Sequence, residues 1–416
     1  MLRSPGPPRT SFPREVYVLS AIAFLVALGF GMVIPVIPVL ARTFGVTAAA
    51  AGAVVAAFAL MRLVSAPVAG KLVNRVGERL ILGVGVTIVA ASSGAAGLSQ
   101  TYGQLLVFRG LGGVGSAMFT VSAAALLIRS VPDALRGRAT GVFGAGFLLG
   151  GVVGPLFGAV LAVISLRAPF FGYALVLFAA GAVGLALLPR HQAEGFSAEV
   201  TPDPAERSVG GVERFRHAIR LPAYRTALVV SFAAGFTLFG VRSATVPLFV
   251  TESLGQAASL VGIGLLLAAV ANGVALYPVG RVADLRGRRP ALIVGATVSA
   301  LGMALLAGAG SVALFLVAMI VTGLGSGALH VVPPAIVGDV AGGRSATLVA
   351  GYQMAGDVGA IVGPLLAGWL VDASGYPAAF GMTAAVLCIA ALVGALSPET
   401  LRTPEAQRPA QPVSPG

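Results

Sequence analysis

Five ionisable side chains stand inside otherwise apolar sequence: Arg62, Arg109, Arg242, His330 and Asp357. A charge at bilayer depth costs about 2.5–3.5 kcal/mol on insertion scales, so such groups face a cavity or a partner and often mark an ion or substrate path. Asp357 is the one acid well inside an apolar stretch; Glu252, Asp339 and Asp372 lie near stretch ends. A buried carboxylate whose protonation follows conformation is the usual device of proton coupling, and a fixed salt bridge between domains is the alternative. At 1.5 Å per helical residue, Asp357 lies roughly 17–20 Å from the start of its stretch, and Arg62 roughly 13 Å from Lys71 at the same face. Arg242 stands about 25 Å from Arg225, and Arg109 about 30 Å from Arg129. Depth therefore makes Arg62 the nearest cation to Asp357. Burial favours the protonated form of a carboxyl group and a neighbouring guanidinium opposes it, which couples protonation to movement. The pair is expected to form when the basic side of the molecule is shut and to part when it opens, with His330 next in line as the proton site.

These groups sit in twelve apolar stretches near the ~20 residues that span a bilayer. They fall at 16–40, 48–70, 80–98, 103–128, 139–163 and 169–189, and again at 225–250, 258–280, 290–308, 311–338, 346–371 and 376–397. The two sets repeat. Gly70-Lys71-Leu72-Val73-Asn74-Arg75-Val76-Gly77-Glu78-Arg79 returns as Gly280-Arg281-Val282-Ala283-Asp284-Leu285-Arg286-Gly287-Arg288-Arg289, each read as a short basic loop between two stretches. Phe30-Gly31 with Pro38 matches Phe239-Gly240 with Pro247, Gly154-Pro155 matches Gly363-Pro364, and Gly110-Leu111-Gly112 matches Gly323-Leu324-Gly325. Concordant offsets at four places give two six-helix halves, an all-α membrane protein of twelve helices. The expected layout is a tail at 1–15, a bundle at 16–189, a linker at 190–224, a bundle at 225–397 and a tail at 398–416. Residues 212–221 of the linker read as an amphipathic segment suited to a membrane surface.

With 57% hydrophobic and 10% charged residues, an ordinary soluble domain is excluded. The net charge of +12 does not point to nucleic acid: all but five of the 27 Lys and Arg fall in tails, linker and one set of loops. Arg42 and Arg167 lie on the other side, and Arg62, Arg109 and Arg242 lie within stretches. Such asymmetry places the basic side and both termini in the cytoplasm. The Arg- and Pro-bearing start reads as a polar tail, since the first apolar run is too long for a cleavable signal. No cofactor or metal is expected, because the stretches hold no His/Asp/Glu/Cys cluster and Cys388 stands alone. The absence of G-x-x-x-x-G-K-[ST] argues against nucleotide drive, and the lack of a nucleophile–base pair argues against an enzyme.

The paired basic motifs resemble those of the major facilitator superfamily, whose loop between helices 2 and 3 reads G-x-L-a-D-R-x-G-R-R. The resemblance implies two pseudo-symmetric bundles and alternating access about a central site. It implies a latch in which the motif acid caps a helix across the interface and holds the cytoplasmic side shut. The second copy (Gly280, Asp284, Arg286, Gly287, Arg288) keeps the acid; the first (Gly70, Asn74, Arg75, Gly77, Arg79) has an amide, so its latch is expected to be weaker. Gly150-x-x-x-Gly154-Pro155-x-x-Gly158 is similar to the family's antiporter motif and points to a 12-helix drug:proton antiporter-like exporter. Arg109-Gly110-Leu111-Gly112-Gly113 resembles R-x-x-q-G, which gives Arg109 either a proton-transfer role or the task of positioning helix 1; hydrogen bonding to carbonyls near Pro35 and Pro38 is the structural alternative. In the family, helices 2 and 11 meet across the domain boundary, and helices 1, 4, 7 and 10 line the cavity. That would bring Phe30, Phe119, Phe236, Phe239, Arg242 and His330 to a wall suited to apolar or amphipathic solutes. Arg242 either meets an anionic group or packs against carbonyls; His330 either senses protons or adjusts its helix. Asn272 is a modest candidate for the interface between halves. The partners so implied are a small-molecule substrate, protons and the bilayer, for a monomer in the cell membrane. Export is the first reading, and uptake or facilitated diffusion on the same fold is the rival.

Overall fold

The computed structural model describes residues 12–188, 211–341 and 346–401. Residues 1–11, most of the linker, and the tail beyond Leu401 lie outside the described residues. Twelve helices are long and apolar enough to cross a membrane. In the first half they are α1 (Arg14–Arg42), α2 (Ala48–Val76), α3 (Glu78–Leu98), α4 (Tyr102–Arg129), α5 (Asp133–Ile164) and α6 (Ala168–Leu187). In the second they are α7 (Pro222–Ser253), α8 (Ala258–Arg286), α9 (Arg288–Ala307), α10 (Val312–Ala341), α11 (Ala346–Ser374) and α12 (Tyr376–Leu396). Each half repeats one packing scheme. Helix α1 lies on α5 and α6, as α7 lies on α11 and α12; α4 packs on α2 and α3, as α10 packs on α8 and α9. The halves meet along two seams, α2–α11 and α5–α8.

The basic motifs are not loops. Helix α2 runs on to Val76 and α3 starts at Glu78, with Gly77 alone between them at φ +96°; Gly287 at φ +112° joins α8 to α9 in the same way. Both glycines occupy backbone space that a side chain strains. The helices outlast the apolar stretch because hydrogen bonding continues into water, where Lys71 and Arg75 also suit a helix C-terminus.

Glycine spacing sets how closely the helices approach. A Cβ on Gly150, Gly154 or Gly158 would lie 2.2–2.4 Å from the carbonyl oxygens of Phe24, Leu28 and Met32, so α5 touches α1 backbone to backbone every four residues. Gly146 extends the row onto Ser20, a continuation the sequence reading missed. At the seams, Gly52 of α2 faces the Pro364 carbonyl of α11, and its repeat mate Gly262 of α8 faces the Pro155 carbonyl of α5.

Two helices are irregular. Helix α1 breaks between Val33 and Ile37, at Pro35. Helix α7 has wide π-type turns at Gly235–Val241 and Phe249–Ser253, which no sequence period announced. A short linker helix, Gly211–Ala218, forms where an amphipathic segment was expected, but it does not simply lie at a membrane surface. Phe215 turns inward, its ring 6.1 Å from Tyr224 and against Gly351 of α11.

Candidate functional site

The two faces of the bundle differ. The basic face carries the Gly77 and Gly287 joints; the far face carries the turns after Arg42, Leu98, Ile164, Ser253, Ala307 and Ser374. At the far face the halves are fastened. Arg42 of α1 pairs with Glu252 of α7 at 2.6 Å, and Tyr376 of α12 donates to the same carboxylate at 2.6 Å. Asp372 of α11 accepts hydrogen bonds from the Ala48 and Ala49 amides at 2.8 and 2.9 Å, capping α2 across the seam where the helix dipole favours negative charge. Toward the basic face the fastening stops. Among the described residues, the glycine contacts between the halves, Gly52 on the Pro364 carbonyl, Gly262 on the Pro155 carbonyl and Gly368 on the Ala48 carbonyl, all lie in the far half of their helices. The gap between halves therefore opens to the basic face.

Arg62 and Asp357 meet at the edge of that gap. Arg62 Nη2 donates to Asp357 Oδ1 across the α2–α11 seam, and their side chains keep 36% and 23% exposure. Asp357 lies about 22 Å along α11 from Asp372, and of the bonds joining α2 to α11 this is the one furthest from the far face. The pairing expected from depth is present.

The other seam carries no such charge. By the repeat, Leu148 stands where Asp357 does and Asn272 where Arg62 does. Asn272 also departs from expectation. It shares a helix face with Ala268 and Ala275, which pack on Gly323 and Gly327 of α10, and its buried Oδ1 has no hydrogen-bond partner.

Arg109 is 3% exposed, its guanidinium 4.7 Å from the centre of the Phe58 ring of α2. It thus stacks on α2 instead of bonding to the broken stretch of α1, and its buried Nε has no hydrogen-bond partner. Arg242 follows the π-turn of α7, and its buried Nη1 is likewise without a partner. His330 Nδ1 is 2.9 Å from the Ser326 carbonyl. Of the expected aromatic wall, Phe30 is part-exposed against Phe58 at 5.5 Å and Phe239 is 49% exposed. Phe119 and Phe236 do not reach the gap: they are 3% and 1% exposed, Phe119 among Val86, Val89 and Tyr173, Phe236 against Phe232 and α11.

The motif residues are disengaged from the opposite half. Asp284 bonds to Arg288 in its own hairpin and remains 70% exposed on its side chain, Asn74 and Arg75 are exposed, and Arg79 donates to the Leu185 carbonyl of α6. Beside them lies an arrangement the sequence reading missed. Glu78 pairs with Arg129 in one half, and Arg288 with Asp339 at 3.2 Å in the other. The positions correspond at the repeat offset with the charges exchanged, a signal the aligned halves already held. Arg42 and Glu252 are related by the same offset.

Comparison with known proteins matches this architecture. Solved structures of a bacterial homolog of the human lysosomal transporter Spinster share the fold. The inward-facing, unoccupied form has a TM-score of 0.75 at 17% identity, covering 93% of this chain and 97% of that one; the occupied form has 0.71 at 18%. Multidrug resistance protein 1 of Bacillus subtilis is 29% identical over 240 residues, 58% of this chain. Quinolone resistance protein NorA of Staphylococcus aureus is 30% identical over 158 residues, 38% of this chain. The chain spans 59% and 41% of the lengths of those two relatives. The family model described as Major Facilitator Superfamily matches residues 19–245 and 227–415, and with twelve spans in two repeated halves the chain belongs to that superfamily of membrane transporters.

Proposed function

We propose that the protein is a proton-coupled exporter of small amphipathic compounds, working by alternating access in the cell membrane. The observation that carries the coupling is the Arg62–Asp357 pair, half exposed at mid-depth on the one charged seam between the halves. With the basic face in the cytoplasm, in keeping with its Lys and Arg, the structure is open to the cytoplasm. Asp357 there is charged and held by Arg62, in the state that takes up cargo. Outward opening pulls α2 from α11 and breaks the pair, and a proton from outside replaces the lost guanidinium. Return to the inward state restores the pair and releases the proton inside. The drug-resistance names of the two curated relatives and the α5 glycine row support export over uptake.

Everted vesicles or proteoliposomes given an inward-directed cargo assay test this reading. Uptake of a fluorescent drug should follow an imposed proton gradient, collapse with a protonophore and ignore ATP depletion while the gradient is clamped. Transport that persists at full rate under the protonophore would overturn proton coupling.

A further inference from the structure

The charges lining the gap do not balance. Asp357 is taken by Arg62, and among the described residues neither Arg109 nor Arg242 has a carboxylate partner. Arg109 is sealed under Phe58. Arg242 is part-exposed, although its Nη1 is buried. It lies on α7, a helix enclosed by α1, α2, α8, α10, α11 and α12. Atoms that remain exposed on such a helix open into the gap between halves. Phe239, one turn before Arg242, is exposed there. An uncompensated guanidinium at this depth is unfavourable, and cations within membranes are normally paired. The missing negative charge must then arrive from the gap.

We propose that Arg242 is the anion subsite of the cargo cavity, and that the preferred cargo is an amphipathic organic anion whose carboxylate meets Arg242 while its aromatic body lies on Phe239. The proposal rests on the transporter reading above and narrows its cargo. The forked donors of a guanidinium match a planar carboxylate with two parallel hydrogen bonds. A cationic drug, by contrast, would meet the unpaired Arg242 and, among the described residues of the gap, no free acid.

Three dansyl probes of one fluorophore and different charge test this without any gradient: dansylglycine, neutral dansylamide and cationic dansylcadaverine. Each is titrated by fluorescence into the purified full chain in phosphatidylcholine nanodiscs. The wild type should bind dansylglycine about 10- to 100-fold more tightly than dansylcadaverine, the range of a charge-assisted hydrogen bond. Arg242→Gln should abolish that preference with dansylamide affinity unchanged, which also reports an intact fold. Should Arg242→Gln lose dansylamide as well, Arg242→Lys decides: a carboxylate preference reduced several-fold supports the subsite, and an unchanged one overturns it. Equal binding of the three probes by the wild type, a preference for the cation, or a preference that survives Arg242→Gln would each overturn the proposal. So would competition by added phosphatidylglycerol, which would assign Arg242 to a lipid phosphate. Loss of proton-driven transport with this binding order intact would instead count against the coupling reading alone.

Discussion

Arg62 and Asp357 are joined across the α2–α11 seam while the gap beside them stands open to the basic face. In the cycle proposed above, the pair belongs to the half in which the basic face is open. A carboxylate that loses its guanidinium must either find another donor or take a proton, because a lone buried charge is the costliest outcome. In the proposed cycle the break occurs when the far face opens, so the proton is gained outside and lost inside, the order an exporter driven by inward protons requires.

The far-face fastening sets how readily that break occurs. Asp372→Asn and Glu252→Gln each remove a charged acceptor that spans the halves. Each is expected to weaken far-face closure by about 1–2 kcal/mol, the value of a helix cap or a charge-assisted hydrogen bond. Pairs of spin labels near Val46 and Gly375 should show a longer-distance population that grows several-fold. Unchanged distributions in both variants would remove these residues from the gate.

The opposite latch is idle here. Among the described residues, Asn74 and Asp284 make no bond to the other half, and Asp284 is held by Arg288. Asn74→Asp supplies the charge that the first motif copy lacks, and by resemblance to the family it should favour the state closed at the basic face. Labels at the basic ends of α2 and α11 should shift toward shorter distances, with slower transport. No shift would mean that the first copy only positions the Gly77 joint.

A pH effect belongs to the segment after α12. Burial works to raise the Glu399 carboxyl, but hydrogen bonds from the Leu401, Arg288, Arg289 and Thr400 amides outweigh it and hold the group below its ordinary value of 4.5. A depressed value means stability present above the ordinary glutamate range and lost as pH falls through the lower folded-state value. Glu399→Ala should thus lower thermal stability at neutral pH by about 0.5–1 kcal/mol, a modest figure for an exposed cap on α9. The two melting curves should converge in strong acid; a constant difference down to pH 2 would contradict the assignment.

The twelve helices and the repeat were legible because length, hydropathy and aligned motifs are properties of single segments. The Arg62–Asp357 pairing was legible too, since depth along a helix is arithmetic. What escaped the sequence depends on rotation and state. Phe119 and Phe236 sit on helices that were expected to line the cavity, but their faces turn into the cores of their own halves. The π-turns of α7 alter the phase of every residue beyond Gly235. The timing of the ion pair could not be read from depth, because depth says where two groups meet and not which end of the seam opens first. Arg42 with Glu252, and Glu78–Arg129 with its reversed counterpart, were available by adding one repeat length to a charged position.

The central claim is that Asp357 exchanges Arg62 for a proton. Purified Asp357→Asn in proteoliposomes tests it when uphill transport and gradient-free counterflow of one fluorescent drug are measured side by side. The account predicts counterflow near the wild-type rate, because cargo exchange needs no proton, with accumulation against a gradient lost and its pH dependence flattened; the counterflow of Arg62→Ala, though not its uphill transport, should be partly rescued by adding Asp357→Ala. Uphill transport by Asp357→Asn at the wild-type rate with an unaltered pH profile would contradict the account and move the proton site elsewhere, with His330 the next residue to change.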